Sequence, residues 1–420
     1  MLSAADNETI TRVGPGTAMG EVFRRFWLPI LCSDDLERDG APVRLRILGE
    51  DLIGFRDSRG TVGVLQAACP HRRAKLFWGR NEDCGLRCAY HGWKFDATGQ
   101  CVDMPSEPAD STFKERIRAH SYEALERGGL IWLYMGPGES KPEFPRYPWL
   151  EVGEDRLQGT TWLQRSNWLQ SLEGDFDSAH VSFLHRWLDA NAGPPAFIDG
   201  YRRFVETDTA PHLAVVETPY GLQYGGRRTV GGGEYYWRTT HWVAPAASQV
   251  AGGGGMRFLT PIDDHHSISC SVRGRDRSSV EGLSPFALPD GYIVDVRRPE
   301  RGPENDFRID RDAQRSTTFS GIPGGPRDQD RAMTETMEPV LDRSDEHLGT
   351  TDVAIIAMRR QLLRLARDLE QGIEPPMAGD PQAVREAVGF NMVSKNADFA
   401  DVLAEVASDQ QSGSRASTIR

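Results

Sequence analysis

Apolar and polar positions alternate over short runs between residues 43 and 64. Arg44-Leu45-Arg46-Ile47-Leu48 is one such run and Leu52-Ile53-Gly54-Phe55 another, with Gly and Asp punctuating them. A period of two, ended by turn residues, predicts short strands. A further strand is expected over 129–135, and the proline-rich stretch 137–148 reads as a linker. Beyond it, strands are expected over 157–164, 202–206, 213–218, 222–228, 235–243, 256–261 and 267–273, separated by Gly-, Pro- or Asp-bearing turns. Short connections between consecutive strands favour an antiparallel meander over βαβ units. A helical region is expected over 168–189. Residues 280–330 look irregular. An amphipathic helix is expected over 351–371, with Ile355, Leu362, Leu365 and Leu369 near one face. The expected fold class is α+β, in four parts. Residues 1–40 form a helical lead-in packed on the second domain, 41–150 an all-β domain, 151–406 a domain built on an antiparallel sheet, and 407–420 a frayed polar tail.

A length of 420 residues suits two or three domains. The formal net charge of −12 argues against nucleic-acid binding, which needs a basic face, and suits a soluble enzyme whose partner docks through a basic surface. The first residues hold no apolar core flanked by basic residues, so no signal peptide is expected. The apolar runs 130–135 and 354–358 are far too short to span a bilayer, so no membrane role is expected and the expected compartment is the cytoplasm. Of six cysteines, Cys69, Cys84, Cys88 and Cys101 fall close together. In a reducing compartment such a cluster points to metal ligation rather than to a disulfide.

Cys69-Pro70-His71 is followed, after sixteen intervening residues, by Cys88-Ala89-Tyr90-His91. A Rieske [2Fe–2S] cluster needs two thiolates on one iron and two imidazoles on the other, and two loops that each give one Cys and one His supply them. Cys69, His71, Cys88 and His91 are therefore the expected cluster ligands. A Cys2His2 zinc knuckle would take the same four side chains, although zinc arrangements usually keep like residues together. Cys84 competes with Cys88 but has Arg87, not a histidine, three residues on.

Residues 167–185 hold a second group: Glu173, Asp175, Asp177, His180 and His185. A non-haem iron that activates dioxygen uses two His and one carboxylate on one face, leaving the other positions open. His180 and His185 supply the imidazoles. Five residues along a regular helix leave them about 140° out of alignment, so the helix must bend or end between them. Spacing does not choose the third ligand among Asp310, Asp312, Asp328, Asp330, Glu335, Glu338 and Asp342. A carboxylated substrate would want a basic residue in the pocket, and Arg227, Arg228 and Arg238 lie on candidate pocket strands. Phe176, Phe183, Trp187, Phe197 and Trp242 are candidate apolar lining.

The segments Cys69-Pro70-His71-Arg72 and Cys88-Ala89-Tyr90-His91-Gly92-Trp93-Lys94-Phe95-Asp96 resemble the Rieske domain of ring-hydroxylating oxygenase α subunits. Asp177-x2-His180-x4-His185 resembles the iron motif of the same family. The opening of the chain, with residues 329–360, is similar to the phthalate 4,5-dioxygenase oxygenase branch, which also includes O-demethylases of lignin-derived methoxylated aromatic acids. The resemblance implies an all-β Rieske domain, a helix-grip catalytic domain, and Asp330 as the third iron ligand, with Asp328 the runner-up. It implies that Asp177 is a hydrogen-bonded bridge between His91 of a cluster and His180 at an iron, and that Glu173 lies near the iron. It further implies a homotrimer or a pair of trimers, and a [2Fe–2S] cluster with a mononuclear Fe(II). Electrons would come from NADH or NADPH only indirectly, through a separate reductase, with or without a ferredoxin. The expected activity is dioxygen-dependent oxidation of an aromatic, carboxylated substrate, by cis-dihydroxylation or alternatively by O-demethylation. From the residues alone, a Rieske electron carrier and a zinc-stabilised binding protein stay open.

Overall fold

Strand β2 (Val43–Ile47) follows β1 (Trp27–Cys32) and buries Val43, Leu45 and Ile47, while Arg44 and Arg46 stay partly exposed. That alternation is what a one-sided strand requires. The computed structural model describes residues 2–188, 202–251, 255–275 and 282–412. After β3 (Glu50–Arg56) and β4 (Val62–Gln66) comes a small antiparallel sheet of β5 (Arg80–Glu82), β6 (Gly85–Arg87), β7 (Lys94–Phe95) and β8 (Cys101–Asp103). Then β9 (Ser121–Arg127) and β10 (Leu130–Tyr134) complete a six-stranded antiparallel sheet in the order β1-β10-β9-β4-β3-β2. Residues 1–40, expected as a helical lead-in, hold α1 (Ala4–Thr11) and α2 (Ala18–Phe23), but also β1, which pairs with β10 from Trp27 opposite Tyr134.

The second sheet is also antiparallel. Its strands are β11 (Leu157–Gln164), β12 (His212–Thr218), β13 (Gly221–Gly231), β14 (Glu234–Val243), β15 (Ala247–Val250), β16 (Met256–Pro261) and β17 (Ser267–Gly274). Their order is β11-β17-β16-β15-β14-β13-β12. The hairpin β18 (Ser284–Ala287) and β19 (Ile293–Val296) lies in the stretch expected to be irregular. β20 (Asn391–Ser394) pairs with the first half of β14 on the edge whose second half pairs with β15. Residues 202–206, expected as a strand, form a helix, Arg202–Thr207. The Arg202–Glu206 ion pair at 2.8 Å uses a spacing of four, which brings side chains together on a helix but not on a strand.

The long helix Val353–Glu370 buries Ile355, Leu362 and Leu365, as its periodicity predicts, and packs on β12, β13, α1 and α2. Trp132 of β10 is fully buried at the seam between the sheets, edge-on to Phe258 of β16 at 5.0 Å. Phe144 and Tyr147, from the proline-rich stretch, close the same aromatic cluster. Backbone bonds from Leu48 to Pro261 (3.0 Å) and from Gly49 to Ile262 (2.9 Å) join the two halves. No helix among the described residues is long and apolar enough to cross a membrane.

Candidate metal centres

Helix α3 (Trp168–Asp175) starts at Asn167, whose side chain accepts the Leu169 N–H at 3.1 Å. It ends where Asp177 takes over. One Asp177 oxygen accepts the Ala179 N–H at 2.7 Å, and the other accepts the His180 N–H at 3.2 Å. A short-reach carboxylate that binds the backbone beyond it stops a helix and starts a new turn. That turn is a 3₁₀ segment, His180–Ser182. The helical region expected over 168–189 is therefore interrupted before His180, and the 3₁₀ turn itself ends after Ser182, between the two histidines, which is the break that the five-residue spacing demands.

The break brings the imidazoles together. His180 Nε2 and His185 Nε2 lie 3.2 Å apart. Asp330 Oδ1, on the helix Pro326–Thr334, lies 3.1 Å from His185 Nε2 and 3.6 Å from His180 Nε2. Metal–ligand bonds of about 2.1 Å at right angles put ligand atoms about 3 Å apart, so the separations suit one face of an octahedral ion. Among the described residues this is the one group of three or more such side chains that converges on a single point. Asp328 turns away and binds Arg301 at 3.0 Å.

Lone-pair directions agree. His180 Nδ1 is 3.0 Å from Asp177 Oδ2, and His185 Nδ1 is 2.7 Å from Gln329 Oε1. Each acceptor draws the ring proton to Nδ1, so both Nε2 lone pairs face the same point. Two lone pairs and a carboxylate oxygen repel one another there unless a cation sits among them. Burial alone would push His180 below its usual range, but Asp177 and Asp330 hold it above. The field that would hold a proton there also attracts a metal.

The triad lines a cavity of about 540 Å³. Val181, Val250 and Val272 give it apolar wall, and four arginines enter it: Arg238, Arg257, Arg273 and Arg327. Arg257 is committed to Asp175 at 2.6 Å, and Ser248 holds the other oxygen of that carboxylate at 2.7 Å. Arg273 and Arg327 form no ion pair among the described residues. Arg327 lies over the Trp162 ring at 3.8 Å and donates to Ser271 at 3.3 Å. Crowding by the surrounding protein, together with the neighbouring Arg257, pushes its pKa down to about 10. The cavity therefore carries positive charge on the wall beside the metal triad.

Of the arginines singled out from the sequence, Arg238 lines the cavity. Arg227 does not: it faces the opposite side of β13, stacks on Tyr235 and donates to the Ala397 carbonyl. Arg228 does not either. It is fully buried and donates to the Ser178 carbonyl at 2.8 Å, holding the backbone between Asp177 and His180. Glu173 points away from the cavity into Arg343 and Arg359. The aromatic lining also differs. Phe176 packs on Tyr224, Trp242 is in the core, Trp187 bridges to Thr318, and Phe183 lies exposed against Phe319. Phe197 falls outside the described residues. Sequence reasoning missed Arg257, Arg273 and Gln329. Arg327 carried a readable signal, since it precedes Asp330 by three positions on one helix and shares its face.

The two Cys–His loops are built alike. Cys69 N–H donates to Ala74 O and Cys88 N–H to Trp93 O, both at 2.8 Å. Arg73 N–H returns to Cys69 O and Gly92 N–H to Cys88 O, both at 3.0 Å. The residue four past each cysteine is left-handed, with φ of 62° at Arg73 and 78° at Gly92. Two matching loops present equivalent atoms to a shared centre. Cys69 and Cys88 are buried with Leu76, Leu86 and Phe95, while His71 is exposed and His91 partly so. The two rings lie 4.4 Å apart, and His71 stacks on Trp93 at 4.3 Å. Burial, with Cys88 beside it, pushes the Cys69 thiol up to about 12, so a thiolate there needs a cation. No three of these four ligand atoms converge on one point, as a tetrahedral zinc would require. Two sulfurs inside and two imidazoles at the rim fit a two-iron cluster.

Residues 26–121 match the Rieske [2Fe-2S] domain family, and residues 133–417 match the LigXa C-terminal domain like family. The chain is 36% identical over 424 residues to the 3-chlorobenzoate-3,4-dioxygenase oxygenase subunit of Comamonas testosteroni, covering 95% of this chain and 97% of that one. It is 36% identical over 416 residues to the phthalate 4,5-dioxygenase oxygenase subunit of Pseudomonas putida, covering 96% and 94% respectively. A crystal structure of dicamba monooxygenase bound to dicamba shares the fold with a TM-score of 0.55 at 22% identity, covering 83% of this chain and 98% of that one. A match that extends through the second half of the chain sets aside the electron carrier and the zinc-stabilised module. The chain belongs to the Rieske non-haem iron oxygenases, with a [2Fe–2S] cluster and a mononuclear iron as its cofactors, and it is the oxygenase component of such a system.

Proposed function

We propose that this oxygenase oxidises a carboxylated aromatic, held beside an iron on His180, His185 and Asp330. The observation that carries the substrate class is the arginine-lined cavity at the triad. Arg273 and Arg327 are guanidinium groups without a carboxylate among the described residues, and Arg238 stands on the same cavity wall. A planar guanidinium binds a carboxylate bidentately, and Val181, Val250 and Val272 leave apolar surface for a ring.

The cluster ligands in this proposal are Cys69 and Cys88 on the inner iron and His71 and His91 on the outer. When bound, the cluster supplies single electrons and the mononuclear iron supplies the dioxygen chemistry. The chain's own residues do the rest. Asp177 holds His180 in one tautomer. Asp175 neutralises Arg257, which leaves Arg273 and Arg327 as the cavity guanidiniums with no ion pair among the described residues. Electrons come from a separate reductase fed by NADH or NADPH, with or without a ferredoxin.

The assembly proposed is a homotrimer or a pair of trimers, in which Asp177 of one copy meets His91 of the next. Exposed aromatics support it on both sides: Tyr90 and Trp78 beside the cluster loops, and Phe183 and Phe319 beside the iron turn. Apolar surface of this kind marks contacts between protein molecules. Sedimentation of the holoenzyme tests it, and a monomer at micromolar concentration would end the idea.

Reductase-coupled turnover under labelled dioxygen, over phthalate isomers and methoxylated benzoates, tests the activity. A diol carrying two labelled atoms is the expected result. Formaldehyde with an unlabelled phenol oxygen would instead assign O-demethylation. Turnover of uncharged aromatics with no turnover of carboxylated ones would overturn the substrate class.

A further inference from the structure

Gln329 is buried, one residue before Asp330, and makes two hydrogen bonds through its amide. Its Nε2 donates to the Ile322 carbonyl at 3.2 Å. A carbonyl can only accept, so this bond fixes which end of the amide is nitrogen. The oxygen must then face His185 Nδ1, 2.7 Å away. An amide oxygen can only accept, so His185 carries its proton on Nδ1 and presents the bare Nε2 to the point shared with His180 and Asp330.

We infer that Gln329 is the positioning residue for His185, setting both its tautomer and its ring orientation at the mononuclear site. The inference rests on the reading of His180, His185 and Asp330 as iron ligands. It adds an asymmetry to that reading. His180 leans on a carboxylate, Asp177, and His185 on a neutral amide whose charge does not change. One helical segment thus supplies a ligand through Asp330 and the acceptor for a second ligand through Gln329. A movement of the helix Pro326–Thr334 shifts both together.

The test uses the full chain with its [2Fe–2S] cluster intact and the mononuclear site emptied by mild chelation. Co(II) is titrated in, and its d–d absorption reports occupancy and geometry. Gln329→Leu removes the acceptor and should weaken Co(II) binding about 10- to 100-fold, as loss of a ligand's hydrogen-bond partner generally does. Gln329→Glu keeps an acceptor toward His185 but loses the amide donor to Ile322, and should bind Co(II) within about threefold of wild type. Cluster absorption and the thermal midpoint verify folding in each variant. Wild-type affinity in Gln329→Leu would overturn the proposal. Equal losses in the Leu and Glu variants would also overturn it, since the role would then be structural and exerted through Ile322. His180→Ala is the control for the ligand reading. It should abolish the Co(II) spectrum; if it did not, the triad reading would fail, and this inference with it.

Discussion

Asp177 accepts the Nδ1 proton of His180 at 3.0 Å while its carboxylate also holds the Ala179 and His180 backbone N–H groups. One side chain therefore ends helix α3, starts the turn that carries His180, and orients the ring. Asp177→Asn keeps the size and most of the backbone contacts but removes the charge. Reductase-coupled turnover should fall about 10- to 100-fold, the range for loss of a partner that orients a metal ligand. Cluster absorption should not change. Turnover within a few-fold of wild type would show that the charge on Asp177 is not needed.

Arg327 reaches the cavity without a carboxylate partner among the described residues, so its loss should be felt mainly by a charged substrate. Arg327→Gln should raise KM for a carboxylated aromatic about 10- to 100-fold, the range for losing a charge-assisted hydrogen bond. The methyl ester of the same compound should respond by less than about threefold. Equal effects on acid and ester would place Arg327 outside the binding site.

Much of this site was legible in the sequence, and for a physical reason. Metal ligands must be particular residue types at spacings that loops can deliver, so Cys69, His71, Cys88, His91, His180 and His185 stand out in the sequence as the proposed ligands. The antiparallel meander was legible because short Gly-, Pro- or Asp-bearing turns separate consecutive strands such as β12, β13 and β14. The cavity wall was not. Arg273 and Arg257 sit on strands where a charge is usually solvated, and only the folding of β16 and β17 over the triad turns them inward. Arg228 looked like a substrate group, but an arginine can equally bind backbone carbonyls. Residues 202–206, Arg-Arg-Phe-Val-Glu, are too short to show a period, and the Arg202–Glu206 pair fits the helix that forms. Asp328 and Asp330 have the same chemistry. A rotation of about 200° between positions two apart on a helix separates them.

That separation predicts different metal losses. Asp330→Asn should release the mononuclear iron while the cluster's iron and acid-labile sulfide remain. Asp328→Asn should keep both, costing less than about 1 kcal/mol for a partly exposed pair with Arg301. Iron and sulfide analysis of the purified variants checks this. Retention of the mononuclear iron in Asp330→Asn would move the third ligand elsewhere.

Glu173 ties α3 to the long helix and to the loop before it. Its carboxylate binds Arg343 at 2.8 Å and Arg359 at 2.6 Å, and both arginines are buried. Burial alone would raise its pKa, but the two guanidinium groups outweigh that and hold it below the usual carboxylate range. A depressed folded-state value stabilises the protein fully above the unfolded pKa, about 4.3. That stability is lost as pH falls through the lower folded value. Glu173→Gln leaves Arg343 buried without its counter-charge and should cost about 3–5 kcal/mol near neutral pH, the range for breaking a buried pair. The variant should also lose less further stability than wild type between about pH 5 and about pH 3, because the titrating group is gone. Thermal midpoints of both proteins across that range check the sign. Parallel curves would mean that other carboxylates dominate acid unfolding, and that the pair anchors α3 without setting its acid limit.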